Sequence, residues 1–158
     1  MTRPHLHSPP RRAAGFTLIE VMIAILVLGV GLLGFALLQT MSVRFTKSAQ
    51  QRTVATTLAY EAIDMMRIQR ADSGLFAYNQ VTFASFDDVD PGNCARAADA
   101  TIAANIERWK CEVRTALPDG AAEIDLEADG DVVVQVRWGD SHWDADNANT
   151  TFQLETRI

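Results

Sequence analysis

The apolar residues of this chain are gathered into one block near its start. From Phe16 the sequence runs FTLIEVMIAILVLGVGLLGFALL, and between Val21 and Leu38 no side chain is charged or strongly polar. With Phe16–Ile19 the run reaches 23 residues, broken only by Thr17 and Glu20. As an α-helix it spans roughly 34 Å at ~1.5 Å per residue, enough to cross a bilayer. After Gln39 the pattern changes to an amphipathic one. Val54, Ala55, Leu58, Ala59, Ala62, Ile63, Met65 and Met66 recur at helical spacing, and Arg44, Lys47, Gln50, Gln51 and Arg52 supply polar positions before them. The spacing predicts one helix from about Phe16 to Ile68, closed by Asp72-Ser73-Gly74, whose second half needs a covering domain.

Beyond that helix the period shifts. Residues 75–93 carry Phe76, Tyr78, Phe83 and Phe86 and then Asp87, Asp88, Asp90 and Pro91-Gly92-Asn93, which predicts a loop region packing a few rings on a core. Ile102, Ile106, Trp109 and Val113 predict a second helix within Asp99–Leu117, ended by Pro118-Asp119-Gly120. Three alternating segments follow: Ile124 and Leu126; Val132, Val134, Val136 and Trp138; and Phe152, Leu154, Thr156 and Ile158. Period-two alternation predicts a sheet with one covered face, the back half of the long helix being the cover. The first turn fixes a register. A two-residue Asp129-Gly130 loop would pair Leu126 with Val133 and put the valines beside the acids. A three-residue loop, Ala128-Asp129-Gly130, pairs Leu126 with Val132 and Ile124 with Val134, with Gly130 at the left-handed position, and is the expected one.

Charge adds a direction. Residues 1–15, MTRPHLHSPPRRAAG, hold Arg3, Arg11 and Arg12 and no acid. The positive-inside tendency puts them in the cytoplasm and the chain after Thr40 across the membrane. Removing them would carry the net charge from -6 to -9, since three cations and no anion leave. An acidic product argues against nucleic acid as a partner. An ordinary secretory leader would end in a small-residue cleavage site after its apolar core, and QTMSVRF offers none. Glu20 needs a separate explanation. An acid in an apolar helix is costly without a cation, and no Lys or Arg lies nearby on the helix; a free amine at Phe16, created by a cut after Gly15, would supply one.

The stretch Gly15-Phe16-Thr17-Leu18-Ile19-Glu20 resembles the prepilin peptidase recognition motif of type IV pilins and type II secretion pseudopilins. The resemblance implies cleavage between Gly15 and Phe16, N-methylation of Phe16, and pairing of Glu20 with the N-terminal amine of a neighbouring subunit during assembly. The run GVGLLG, the segment Trp109…Leu117-Pro118, the strand VVVQVRW with Asp140 two residues on, and the terminal FQLETRI resemble PilV-like minor pilins, the type IV pilus modification proteins. A minor pseudopilin of a type II secretion system is the alternative. The partners implied are the prepilin peptidase, other minor pilins, the major pilin and the inner membrane.

The expected organisation is therefore a prepilin leader over 1–15, a transmembrane or filament-core half-helix over 16–38, an amphipathic half over 39–72 and a periplasmic head over 73–158. The expected fold is α+β and type IV pilin-like, a long N-terminal helix on a head with a second helix and a three-stranded antiparallel sheet. Gly29, Gly31 and Gly34 inside the apolar helix suit either close helix packing or bending on leaving the bilayer. Cys94 and Cys111 can form a disulfide if the head lies outside the inner membrane; closing a loop of roughly 18 residues is worth about 3 kcal/mol in the chain-entropy model. Metal binding by these two is the other use of such a pair, and no close CxxC or His supports it.

No catalytic constellation is visible, so no enzyme, cofactor or metal centre is expected. His5 and His7 sit in the leader and His142 stands alone. Asp140, Asp144, Asp146, Asn147 and Asn149 could offer oxygens to Ca²⁺, without EF-hand spacing, and read first as a solvated acidic loop. A tip adhesin or DNA receptor is a further reading, which the acidic head disfavours.

Overall fold

The computed structural model describes residues 15–94, 99–140 and 149–158. The order of elements is a long helix α1 (Leu18–Ile68), three short 3₁₀ turns (Leu75–Gln80, Phe83–Phe86 and Pro91–Asn93), a helix α2 (Ile102–Ala116), and strands β1 (Ala121–Leu126), β2 (Asp131–Gly139) and β3 (Asn149–Arg157). The chain is α+β, with a long N-terminal helix, a second helix and a three-stranded antiparallel sheet. It divides into two compact units, one running to Ser42 and one covering Val43–Ile158.

In the first unit every residue of α1 is exposed. The helix contains a stretch with a mean hydropathy of 2.9, none of it buried. An uninterrupted apolar surface of this kind is not left in water. Side chains added at Gly29, Gly31 or Gly34 would meet nothing within 4 Å. Packing among the described residues therefore does not demand those glycines.

The second unit has one core. Ala55, Leu58, Ala59, Ala62, Ile63, Met65 and Met66 of α1 join Ile106, Trp109 and Val113 of α2 and Val132, Val134, Val136 and Trp138 of β2. Trp109 is the keystone of the helix pair. Its Nε1 donates to the Leu58 carbonyl at 3.0 Å, and Phe86 meets it edge-on with ring centroids 6.4 Å apart. Tyr78 and Phe86 are buried while Phe76 is exposed, so the loop expected over 75–93 packs two of its rings by folding into 3₁₀ turns. The Tyr78 hydroxyl donates to Gln69 Oε1 at 2.6 Å, and burial pushes its pKa up to about 12. Cys94 and Cys111 are joined in a disulfide with Cα atoms 5.7 Å apart, which ties the last 3₁₀ turn to α2.

The sheet order is β1-β2-β3. Leu126 pairs with Val132 and Ile124 with Val134. Glu127 donates its N–H to the Asp131 carbonyl at 2.8 Å, leaving a three-residue loop. Gly130 in that loop has φ 91°, the left-handed conformation the turn requires. Helix α1 stops at Ile68, four residues before Asp72; the chain between runs in turns, and the Asp72 carboxylate accepts from the Gly74 N–H at 2.8 Å. Helix α2 covers its whole apolar pattern and is shorter than the expected Asp99–Leu117 range. Thr101 caps it by accepting from the Ala104 N–H at 3.3 Å, which sets its start after Asp99.

Glu61 is held above the usual carboxylate range, first by partial burial and then by the like charge of Glu112, with Arg108 opposing. A raised folded pKa means that the charged form is disfavoured in the fold. Stability is therefore greatest below the unfolded pKa and is lost as pH rises through the folded one. Glu61→Gln is expected to raise the thermal midpoint at about pH 7, and the difference should vanish on acidification below the free carboxyl value. Thermal unfolding followed by circular dichroism across that range checks this.

Candidate assembly site at the start of the first helix

Gly15, Phe16 and Thr17 precede the first turn of α1. Thr17 serves as its cap: its Oγ1 accepts from the Glu20 N–H at 3.3 Å, and its carbonyl accepts from the Glu20 and Val21 N–H groups at 3.1 and 3.3 Å. A Thr followed three residues later by Glu is the sequence signature of a helix start. That signal is present in Thr17-Leu18-Ile19-Glu20, so the start of α1 is legible from these four residues.

Glu20 falls in the first turn of the helix. Its carboxylate sits where the unpaired N–H groups of the helix start favour a negative charge, an interaction worth about 0.3–1 kcal/mol in exposed positions. The fold therefore gives Glu20 a local support in addition to any partner. Phe16, Glu20, Val21, Ala24, Ile25 and Leu28 line one concave strip of the helix surface. It offers a single carboxylate set in apolar surroundings.

Phe16 is 83% exposed. A Cβ at Gly15 would meet nothing within 4 Å. Packing among the described residues thus does not demand a glycine at this position. The residues before Gly15, with Arg3, Arg11 and Arg12, lie outside the described residues. The N-terminal group Gly15, Phe16 and Glu20 and the cysteine pair belong to different compact units.

A family model for the prokaryotic N-terminal methylation motif matches residues 10–36. The chain carries a prokaryotic N-terminal methylation motif. The motif supports a type IV pilin or pseudopilin, and it takes in the Gly15–Phe16 junction, Glu20 and most of the apolar block. It fits processing by a prepilin peptidase, assembly with other pilins and anchoring in a membrane. No curated protein and no solved structure matched the chain.

The other candidates from the sequence fall elsewhere. Asp140 accepts through Oδ2 from the Ser48 hydroxyl at 2.9 Å, joining the end of β2 to α1. Asn149 begins β3. Asp144, Asp146, Asn147 and His142 lie outside the described residues. Among the described residues no group of three or more His, Cys, Asp or Glu side chains could hold a metal ion.

Proposed function

We propose that this protein is a minor pilin, a structural subunit that helps initiate or modify assembly of a type IV pilus. The observation that carries the reading is the methylation motif over residues 10–36, placed at the head of an apolar helix with one acid in its first turn. A prepilin peptidase cuts between Gly15 and Phe16 and methylates the new amine. The cut chain is a single-pass inner-membrane protein, N-terminus towards the cytoplasm, with residues 73–158 as a periplasmic head bridged by Cys94 and Cys111. Residues 16–38 pass from the bilayer into the filament core, and residues 39–72 carry the head. The Glu20 carboxylate meets the Phe16 amine of a neighbouring subunit. That contact answers the cost of a lone acid in an apolar setting, since neither charge is then buried without its opposite. The head makes lateral contacts with other minor pilins and the major pilin.

Glu20→Gln keeps the size and one acceptor oxygen, turns the other into an NH2 donor and removes the charge. The variant is expected to be processed and membrane-inserted normally, with its recovery in sheared filaments reduced roughly tenfold or more, the scale of losing an opposite charge to a buried one. Immunoblots of membrane and filament fractions check it. Normal incorporation of Glu20→Gln would refute the pairing. A deletion strain with normal piliation and impaired protein secretion would move the protein to a type II secretion system.

A further inference from the structure

The two edges of the sheet are finished differently. The outer edge of β1 is sealed by the turn that follows the first 3₁₀ segment. The Ile124 N–H donates to the Val81 carbonyl at 3.0 Å. Asn79 acts as a surrogate peptide group on Leu126, accepting from its N–H at 2.7 Å and donating to its carbonyl at 2.9 Å.

The outer edge of β3 has no such cover among the described residues. The Ile158 N–H bonds to the Gly130 carbonyl at 2.9 Å. The register continues that pair as Val132–Thr156, Val134–Leu154, Val136–Phe152 and Trp138–Thr150. In an antiparallel ladder the bonded pairs alternate, so these residues turn their backbone groups towards β2. Thr151, Gln153, Glu155 and Arg157 turn theirs outwards. A run of alternating N–H and C=O groups over seven residues, without proline or bulge, is matched by one kind of ligand, another extended backbone.

Side chains define that ligand further. On the covered side Val132, Val134 and Val136 are fully buried, whereas Phe152 and Leu154 on β3, and Ile158 just after it, are half-buried. The core is left open along this edge, and apolar side chains at every second position of an added strand would close it. On the other side Glu155 has no ion-pair partner among the described residues. Arg157, the one cation on β3, is engaged by Asp131 at 3.4 Å and by Asp129 at 3.6 Å. A second copy of β3 therefore brings no free cation to Glu155.

We propose that the outer edge of β3 receives an extended strand from a different pilin-like subunit, one with alternating apolar residues and a basic residue opposite Glu155. The proposal rests on the assembly reading above. In the full chain in detergent micelles, amide hydrogen exchange should be fast at Thr151, Gln153, Glu155 and Arg157 and slow at Phe152, Leu154 and Thr156. In the assembled filament the four fast amides should become slow, a period-two gain that docking of a helix does not produce. Slow exchange at all of them in the isolated chain would show that the chain covers its own edge and would overturn the proposal. So would unchanged fast exchange in a filament that contains the protein.

Gln153→Pro removes one outward N–H and spares the ladder to β2, a position where an edge strand tolerates proline. It should keep the thermal midpoint and lower recovery in filaments by about tenfold, while Gln153→Ala behaves as wild type. Normal incorporation of a folded Gln153→Pro would overturn the proposal. A photo-crosslinking residue at position 153 in intact cells decides the matter whether or not that variant folds. Crosslinks to an extended segment of another pilin-like protein support it. Crosslinks to this chain alone, or none, overturn it. Absence of the wild-type chain from every filament would instead defeat the assembly reading.

Discussion

Gly15→Trp is expected to leave the protein at full length in the membrane, with no detectable form starting at Phe16. The effect should be close to all or none, because the substitution acts on a bond that is either cut or not. The structure makes the experiment clean. A Cβ at Gly15 would meet no atom within 4 Å among the described residues, and Gly15 lies outside the unit that holds the packed core, Val43–Ile158. Loss of processing in a folded variant is therefore assigned to the enzyme that makes the cut. Immunoblotting for the size of the membrane-bound chain and N-terminal sequencing are the measurements. Normal removal of residues 1–15 from Gly15→Trp would refute the cleavage site. The uncut chain also keeps its amine far in sequence from Glu20, so it should be absent from filaments as well.

The second large effect is structural. Trp109→Ala is expected to cost about 3–5 kcal/mol, the usual range for removing a large aromatic from a core. Trp109 is 1% exposed, and its ring lies between the two helices and against Phe86. The substitution also removes the donor to the Leu58 carbonyl. A domain of this size has about 5–15 kcal/mol in total, so the variant should lose much of its cooperative unfolding and be cleared by proteases. Trp109→Phe keeps most of the apolar volume and loses the N–H, which should cost about 1 kcal/mol beyond the change in packing. Denaturant unfolding of the two variants separates the parts. A loss below about 1 kcal/mol for Trp109→Ala would mean that α2 is not held to α1 through this residue.

The cysteine pair shows how a sequence constrains less than it suggests. Spacing allowed a bridge or a metal site, and only the approach of the last 3₁₀ turn to the third turn of α2 brings Cys94 to Cys111. The same holds for Asp140. As a sequence feature it belonged to an acidic loop, whereas in the fold its carboxylate is bound by Ser48, ninety-two residues earlier.

What the sequence determined by itself was everything that repeats over a short distance. The apolar block gives the helix because 23 residues without a solvated face have no other way to satisfy their backbone in a membrane-like setting. The β1–β2 register follows from alternation, because a slip of one residue would exchange the valines for the acids. The methylation motif is local as well: Gly15, Phe16 and Glu20 fall within six residues of sequence, and so does the Thr17 cap. Tertiary structure alone decided the rest. Asn79 sealing β1, Trp109 reaching the Leu58 carbonyl and Ser48 holding Asp140 join residues 47, 51 and 92 positions apart. No periodicity records such pairs, since each depends on where two separately formed elements come to rest. The edge of β3 belongs to the same class. Its alternating residues predicted a strand with a covered face, and only the packed core shows that the cover stops halfway.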